Sequence, residues 1–576
     1  VHSARPIGAA AVNAFQHLVQ PILAAYPALE ASDLPLGTPP KLDLGDLALP
    51  LFLAAKKLGC PPPKLAAEIA AQVAFGQEVT AAVPAGPYLN LKVDRGVLAR
   101  RVADAIRAAG AAYGSDQSGA GRRVLLEHTS INPNASPHVG RARNAMIGDS
   151  LARLLRFAGY EVEVHYYVND MGRQIGLLVL MADELQNLTF DEILDTYVKA
   201  NARAEADPDF AAAGYALLAK MEEGDPETQA KFRQVTDLCL QGQLAVLARI
   251  GATYDVFDHE SKYVKDPRLD EIVAGLKARN AFAEDKEGRI TVDLGTIGHA
   301  HEEGRYFVLM RANGSSMYGY RDLAYTIDKA ARGADLNLMV LGEDHKLYAQ
   351  QLALILDACG HPAPEAVYYA YILLKDGKMS TRQGTVVLLS DFLDQAEALA
   401  AERVAEQCAE LAPEEQRAIA AQVAVAAIRF AVLRVNPGKN VTFDIDQALS
   451  FAGDTGPYVQ YCCARINSIL RRAGDLPPAD PAAGFPATTH AEWGLALKLA
   501  EFPGIVSTAV RERSVAGIGG YALDLARAYT TFYHDCPVLK AESPALAHAR
   551  LELCRATLQT LTNALHLLGI AAPERM

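Results

Sequence analysis

The stretch VLLEHTSINPNASPHVGRARNAMIGDSLARLLRFAGYEVEVHYYV, residues 124–168, limits the fold more than any other part of this chain. Val124, Leu125 and Leu126 form a short apolar run with no room for a helix before Pro133. Asn132, Pro133, Asn134, Ser136 and Pro137 then make a loop that continues neither regular structure. After Gly140, the residues Ile147, Leu151, Leu154, Leu155 and Ala158 recur at helical spacing, and Gly159 stops the helix. Val162, Val164, Tyr166 and Val168 alternate with Glu161, Glu163 and His165, which predicts a strand with one buried face. The unit is βαβ, with His138 and Gly140 at the helix entrance. Unpaired N–H groups and the helix dipole favour an anion there, typically a phosphate.

A second loop bears on the same chemistry. In LKDGKMSTRQG, residues 374–384, an Asp-Gly turn presents Lys378, Ser380, Thr381 and Arg382 on a Gly-bounded loop, suited to a second anion contact. Taken alone, that loop is a solvated basic turn, and His138-Val139-Gly140 is a common tripeptide. Together and in this order they resemble the HIGH and KMSKS signatures of class I aminoacyl-tRNA synthetases. With its flanks, EHTSINPNASPHVGRARNAMIGDSLARLL closely resembles the arginyl-tRNA synthetase family, and the resemblance runs almost end to end.

The resemblance implies an α/β fold. Its centre is a Rossmann-like catalytic domain on a parallel sheet (119–395), interrupted by a helical insertion at about 180–300. An α+β domain (1–118) precedes it and an all-α anticodon-binding domain (396–576) follows. Length agrees, since 576 residues exceed one core. In the first part, Leu65, Ile69 and Val73 mark an amphipathic helix started by Pro61 to Pro63. Tyr88 to Val93 read as a strand with Leu89, Leu91 and Val93 inward, leaving Tyr88 and Asn90 on a wetter face. GPYLN is similar to the segment with which this family touches the D-loop of tRNA, where an aromatic ring and an amide suit a splayed-out nucleotide. Residues 180–300 carry helical periodicity broken at Pro208, Pro226 and Pro267. Residues 305–311 are expected to rejoin the sheet, Leu338 to Leu341 to form a strand, and 440–576 to be all helical.

The implied reaction activates arginine with ATP as an adenylate and transfers it to the terminal 2′-hydroxyl of tRNA(Arg), with tRNA bound before activation. The catalytic candidates are His138, Gly140, Arg141, Lys378, Ser380 and Arg382. The protein's task is positioning and neutralising charge on phosphate oxygens. Mg²⁺ is expected to come with ATP, with no metal-ligand motif. Recognising arginine requires acceptors, because a guanidinium only donates. The resemblance places Glu127, Asn132, Tyr318, Asp322 and His345 in that pocket. Glu127 closes an apolar strand, where an unpaired acid is costly, so a functional role is favoured. Asp322 stands beside Arg321, and a local ion pair or helix cap is the alternative. Near the anticodon the resemblance places Tyr458, Tyr461, Tyr533 and Met576. Tyr458 and Tyr461 share a helix face, which serves either core packing or base stacking.

Three positions depart from the pattern. Arg141 replaces the second histidine of HIGH, Thr381 replaces the second lysine of KMSKS, and His345 stands where many relatives place glutamine. Neutral, His345 accepts from a guanidinium; protonated, it repels one. Arginine affinity is then expected to fall below about pH 6.5, the reference histidine value.

The net charge of −13 argues against indiscriminate polyanion binding, so tRNA must meet a locally basic surface. Eight cysteines include the adjacent pair Cys462 and Cys463, but no two are separated by two residues as in a zinc ribbon, which favours a reducing cytoplasm and no structural zinc. No signal-peptide core or membrane-length apolar run is visible, which suits a cytoplasmic protein with no membrane partner; a monomer is the family's usual state. Three readings compete with this one. They are a nucleotidylyltransferase of the HxGH type, a class I synthetase for another amino acid, and a non-catalytic tRNA-binding paralogue. The first needs no C-terminal helical domain, the second no pocket carboxylates, and the third no intact signature residues.

Overall fold

Three short strands, Leu47–Pro50 (β1), Val79–Ala85 (β2) and Tyr88–Val93 (β3), pair antiparallel in the order β1-β3-β2. They belong to a computed structural model that describes residues 15–133, 136–181, 189–299, 304–312, 316–374, 387–475 and 484–576. Lys378, Ser380, Thr381 and Arg382 lie outside the described residues. The helix Pro62–Gln72 buries Leu65 and Ile69, while Val73 falls just beyond it as the C-cap. On β3, Leu89, Leu91 and Val93 are buried as the alternation predicts. On the other face Tyr88 is half-buried and Lys92 exposed, as expected, but Asn90 between them is buried, at 5% exposure. Gly45 and Asp46 close over the strand: Asp46 Oδ2 accepts from the Val93 N–H at 2.9 Å, and a Cβ on Gly45 would come within 3.0 Å of the Asn90 Cβ.

These residues share a compact unit with 399–430 and 445–576. Side chains join its two ends: the Tyr113 hydroxyl donates to the Leu499 carbonyl at 3.0 Å, and Asn563 Nδ2 donates to the carbonyls of Gly110 and Tyr113 at 3.1 and 3.0 Å. The helix Pro413–Leu433 is long and apolar enough to cross a membrane, contrary to the reading of the sequence, but 61% of its apolar window is buried. Arg429 within it donates to the Leu568 carbonyl at 2.6 Å, as suits a core helix. All eight cysteines are free thiols.

A second unit holds 118–398 and 431–444. Its sheet contains Arg123–Glu127 (β4), Glu161–Val168 (β5), Val256–His259 (β6), Leu336–Gly342 (β10) and Glu365–Tyr369 (β11), all parallel, in the order β11-β10-β4-β5-β6. Chain order reverses between β4 and β10, which makes the carboxyl ends of those two strands the switch point where such sheets bind ligands. Val124, Leu125 and Leu126 are buried, as a strand covered on both faces demands. On β5 the expected buried face holds at Val162, Val164, Tyr166 and Val168, and on the other face Glu161 is exposed and Glu163 half-buried, but His165 is covered. His165 is wholly buried there, its ring nitrogens 2.7 Å from Asp258 Oδ2 and 2.8 Å from Glu163 Oε1.

The helical reading of 180–300 holds only in part. Helices Phe190–Ala206, Pro208–Glu223 and Pro226–Arg249 start where sequence places their caps and prolines. From Val256 the chain is back in the parallel sheet as β6. Phe282–Glu284 (β7), Ile290–Asp293 (β8) and Tyr306–Met310 (β9) then form a separate antiparallel sheet. Residues 306–310 therefore do not rejoin the main sheet as expected. Strands of three to five residues show too few alternations for a period to register. For the same reason the all-helical reading of 440–576 missed Val441–Phe443 (β13), which pairs with Ile372–Leu374 (β12).

Candidate active site

Helix α1, Val139–Phe157, begins on His138, whose extended backbone (φ −98°, ψ 162°) makes it the N-cap. A Cβ on Gly140 would stand 3.0 Å from two atoms of the His138 ring, so a side chain there would crowd the ring. Burial, and then the neighbouring Arg141 charge, hold the His138 imidazole below its ordinary value. It is a neutral hydrogen-bonding group near pH 7.

The loop leaving β4 is strained. Thr129 and Ser130 take φ of +75° and +46°, unusual for a β-branched residue above all. A buried network holds them. The Thr129 N–H donates to Asn144 Oδ1 (2.8 Å), Tyr254 donates to Thr129 Oγ1 (2.8 Å), and the Tyr167 N–H donates to Ser130 Oγ (3.1 Å). Asn144 also donates to the Val340 carbonyl of β10 at 2.9 Å, spanning the switch point. Sequence reasoning assigned none of these groups a role.

Helix α2, Tyr318–Ala331, and helix α3, Lys346–Ala358, flank a cavity of about 290 Å³ at the ends of β4 and β10. Glu127, Asp322 and His345 line it, with Tyr167, Tyr325 and Tyr348 as aromatic walls. Three of the five residues expected in an arginine pocket thus come together. Asn132 and Tyr318 are not among the lining residues. Asn132 is exposed, its carbonyl accepting from Gln243 Nε2 at 2.8 Å. Tyr318 is 54% exposed, its ring centroid 5.2 Å from that of Tyr348.

Asp322 makes neither the local ion pair nor the cap that sequence left open. Arg321 turns away to Glu260 (2.6 Å) and to the Ser316 carbonyl and hydroxyl (2.8 Å each). Asp322 accepts instead from the Tyr348 hydroxyl. Burial, helped by the Glu127 charge and opposed by the Tyr348 bond, pushes its carboxyl up to about 6. Burial likewise pushes Glu260 up to about 7, against the pull of Arg321. Glu127 is not the unpaired acid expected from sequence, because Lys329, fully buried on α2, donates to its Oε2. A signal was present: Asp322, Tyr325, Thr326 and Lys329 share one helix face. Such a polar stripe ordinarily reads as a solvated surface.

In the other unit, helix α4, Gly456–Arg472, and helix α5, Ala516–Asp535, carry the residues expected near an anticodon. Tyr461, Arg465, Arg471, Arg472, Arg575 and Met576 border a basin of about 490 Å³. The Arg465 guanidinium lies 4.8 Å from the Tyr461 ring centroid and 5.1 Å from that of Tyr533. Tyr458 does not border the basin. Its hydroxyl is 3.0 Å from Thr530 Oγ1 on α5, so the shared face expected for the two tyrosines divides between packing and an open surface. On β3, Tyr88 meets the exposed Phe52 edge-on at 5.8 Å.

An open parallel sheet, with a histidine-led helix and an acidic cavity at its switch point, defines a class I aminoacyl-tRNA synthetase catalytic domain. Residues 104–445 match the family described as tRNA synthetases class I (R), catalytic domain. Residues 13–93 match the arginyl tRNA synthetase N terminal domain and 459–576 the DALR anticodon binding domain. The arginine–tRNA ligase of Methanosarcina acetivorans is 37% identical over 525 residues, covering 89% of this chain and 91% of its own. That of Methanopyrus kandleri is 36% identical, covering 96% of each chain. The solved arginyl-tRNA synthetase of Thermus thermophilus aligns over 97% of this chain and 99% of its own, with a TM-score of 0.79 and 29% identity. The chain belongs to the arginyl-tRNA synthetase family.

Proposed function

We propose that the cavity between α2 and α3 is the seat of the arginine side chain, and that the entrance of α1 receives the phosphates of ATP. The chain activates arginine with ATP and attaches it to tRNA. Asp322 and Glu127 supply charged acceptors for a group that only donates, while Tyr348 orients Asp322. A synthetase for a neutral amino acid has no use for two carboxylates in its side-chain pocket. That pairing is the observation that carries the reading.

In the first step the arginine carboxylate attacks the α-phosphorus and pyrophosphate leaves. His138, the Gly140 N–H and the dipole of α1 stabilise charge spreading onto the phosphate oxygens, and Arg141, Lys378, Ser380 and Arg382 add contacts. Arg141 supplies charge rather than a proton. In the second step the terminal 2′-hydroxyl of tRNA takes the arginyl group and AMP leaves. Among the described residues no group of three or more His, Cys, Asp or Glu side chains is placed to hold a metal. Mg²⁺ bound to the triphosphate would take its ligands from phosphate and water. Tyr88 meets the tRNA elbow, and Tyr461, Tyr533 and Met576 meet the anticodon, where four arginines offset the acidic background. The protein acts as a cytoplasmic monomer.

Arginine-dependent exchange of pyrophosphate into ATP, run with and without tRNA, tests this reading. Exchange that requires arginine supports it. No exchange in either condition favours a non-catalytic tRNA-binding paralogue.

A further inference from the structure

Lys329 stands behind the cavity wall, bonded to the lining residue Glu127, and its charge has the same sign as the substrate side chain's. It is fully buried, its ammonium donates to Glu127 Oε2 and lies 4.2 Å from the centroid of the Tyr325 ring. Burying an ammonium is costly, and it persists where a carboxylate and an aromatic face compensate it. Glu127 is itself only 7% exposed, at the carboxyl end of β4. Two carboxylates, Glu127 and Asp322, thus share one small apolar-walled cavity within electrostatic reach of each other. Without a cation such a pair tends to retain a proton, and a retained proton removes an acceptor that a guanidinium needs.

We propose that Lys329 is a specificity-determining positioning residue: it fixes one oxygen of Glu127 and brings the pocket's net charge to −1, matched to a single cationic side chain. This rests on the arginine-cavity reading above. With Lys329 bonded to Oε2, Glu127 is held in one orientation at the cavity, while Asp322 supplies the charge for the guanidinium. The groups facing this pair are Tyr325 beside Lys329 on α2, Tyr348 and the rim residue His345 at the α3 side, and Tyr167 on β5. Arg321 and Glu260 form their own ion pair nearby. Of these, Lys329 alone is a cation bonded to a cavity carboxylate.

Full-length wild type, K329M, K329R and the double variant E127Q/K329M decide it through arginine and ATP KM values across mildly acid to mildly alkaline pH. In K329M, the pH below which arginine KM climbs is expected to move up by about one unit, so that KM rises about twofold near neutral pH and about tenfold on the acid side. ATP KM stays put. K329R should keep the wild-type profile, and E127Q/K329M should return the midpoint towards the wild-type one, because the carboxylate that needed a counter-ion is gone. A wild-type profile in K329M overturns the proposal, as does an equal rise in ATP KM, which marks a structural defect. Should K329M fail to fold, the double variant carries the test: a midpoint still displaced upward in it overturns the proposal. D322N separates the two levels. Unchanged arginine KM in D322N sinks the cavity reading itself, whereas a raised KM there with no shift in K329M sinks only the role of Lys329.

Discussion

Leu388 pairs with His138 through an antiparallel backbone bridge, and the Val139 N–H donates to the Val387 carbonyl at 3.2 Å. The chain emerging from the segment that contains Lys378 is therefore fastened to the entrance of α1. The chain leading into that segment is tied to the same helix, because Arg143 donates to the carbonyls of Ala370 and Tyr371 just before β12. Both flanks of the second signature thus converge on the first, as a shared triphosphate requires. Lys378→Ala is expected to lower turnover about 10²-fold with arginine KM nearly unchanged, since the lost charge acts mainly in the transition state. Steady-state aminoacylation measures both, and unchanged turnover removes Lys378 from the reaction.

Arg143 is wholly buried, and its partners are main-chain carbonyls: besides Ala370, they are Tyr371 and Asn436 at 3.3 Å and Lys439 at 2.8 Å. Arg143→Met takes the arginine donor away from the Ala370 and Lys439 carbonyls, whereas the Tyr371 and Asn436 carbonyls keep the N–H groups of Val441 and Lys439. At about 1–3 kcal/mol for a buried group left unsatisfied, and with the Ala370 bond the fully buried one of the four, about 1–3 kcal/mol of stability should go. Chemical denaturation measures the loss. A change below about 1 kcal/mol would mean that water takes the vacant place.

The Asp322 carboxyl, pushed up to about 6 by burial, must be ionised to hold a guanidinium. Arginine affinity is accordingly expected to be flat on the alkaline side and to fall as pH drops through about 6. Asp322→Asn should weaken arginine binding and flatten this dependence. His345→Gln distinguishes the second titratable candidate at the rim: a surviving acid limb assigns it to Asp322, and its loss assigns it to His345. Calorimetric titration with arginine reads both.

Tyr461→Ala and removal of Met576 should raise tRNA KM while sparing ATP and arginine KM. Stacking on an aromatic ring contributes about 1–3 kcal/mol per base, so a rise of roughly 5- to 150-fold is expected for Tyr461→Ala. Tyr458→Phe, which loses only the contact with Thr530, should leave charging near wild type. Equal losses for all three substrates would identify a folding defect instead.

Local order in the chain was enough for a great deal. The apolar run at Val124, the prolines of the loop, the helical spacing after Gly140 and the alternation through Val168 each concern neighbours a few residues apart. They specified β4, α1 and β5, and with them the placement of His138 and Gly140, while the switch point came only with the order of the strands in the sheet. Tertiary structure decided the rest, because burial and charge pairing are set by residues distant in sequence. Lys329 meets Glu127 across 202 positions, which turned an acid that looked unpaired into half of a buried ion pair. Gly45 and Asp46 closed over Asn90, and Thr530 drew Tyr458 into packing while Tyr461 stayed at an open basin. A period in the sequence states which side chains share a face; what covers that face depends on segments that come together only when the chain folds.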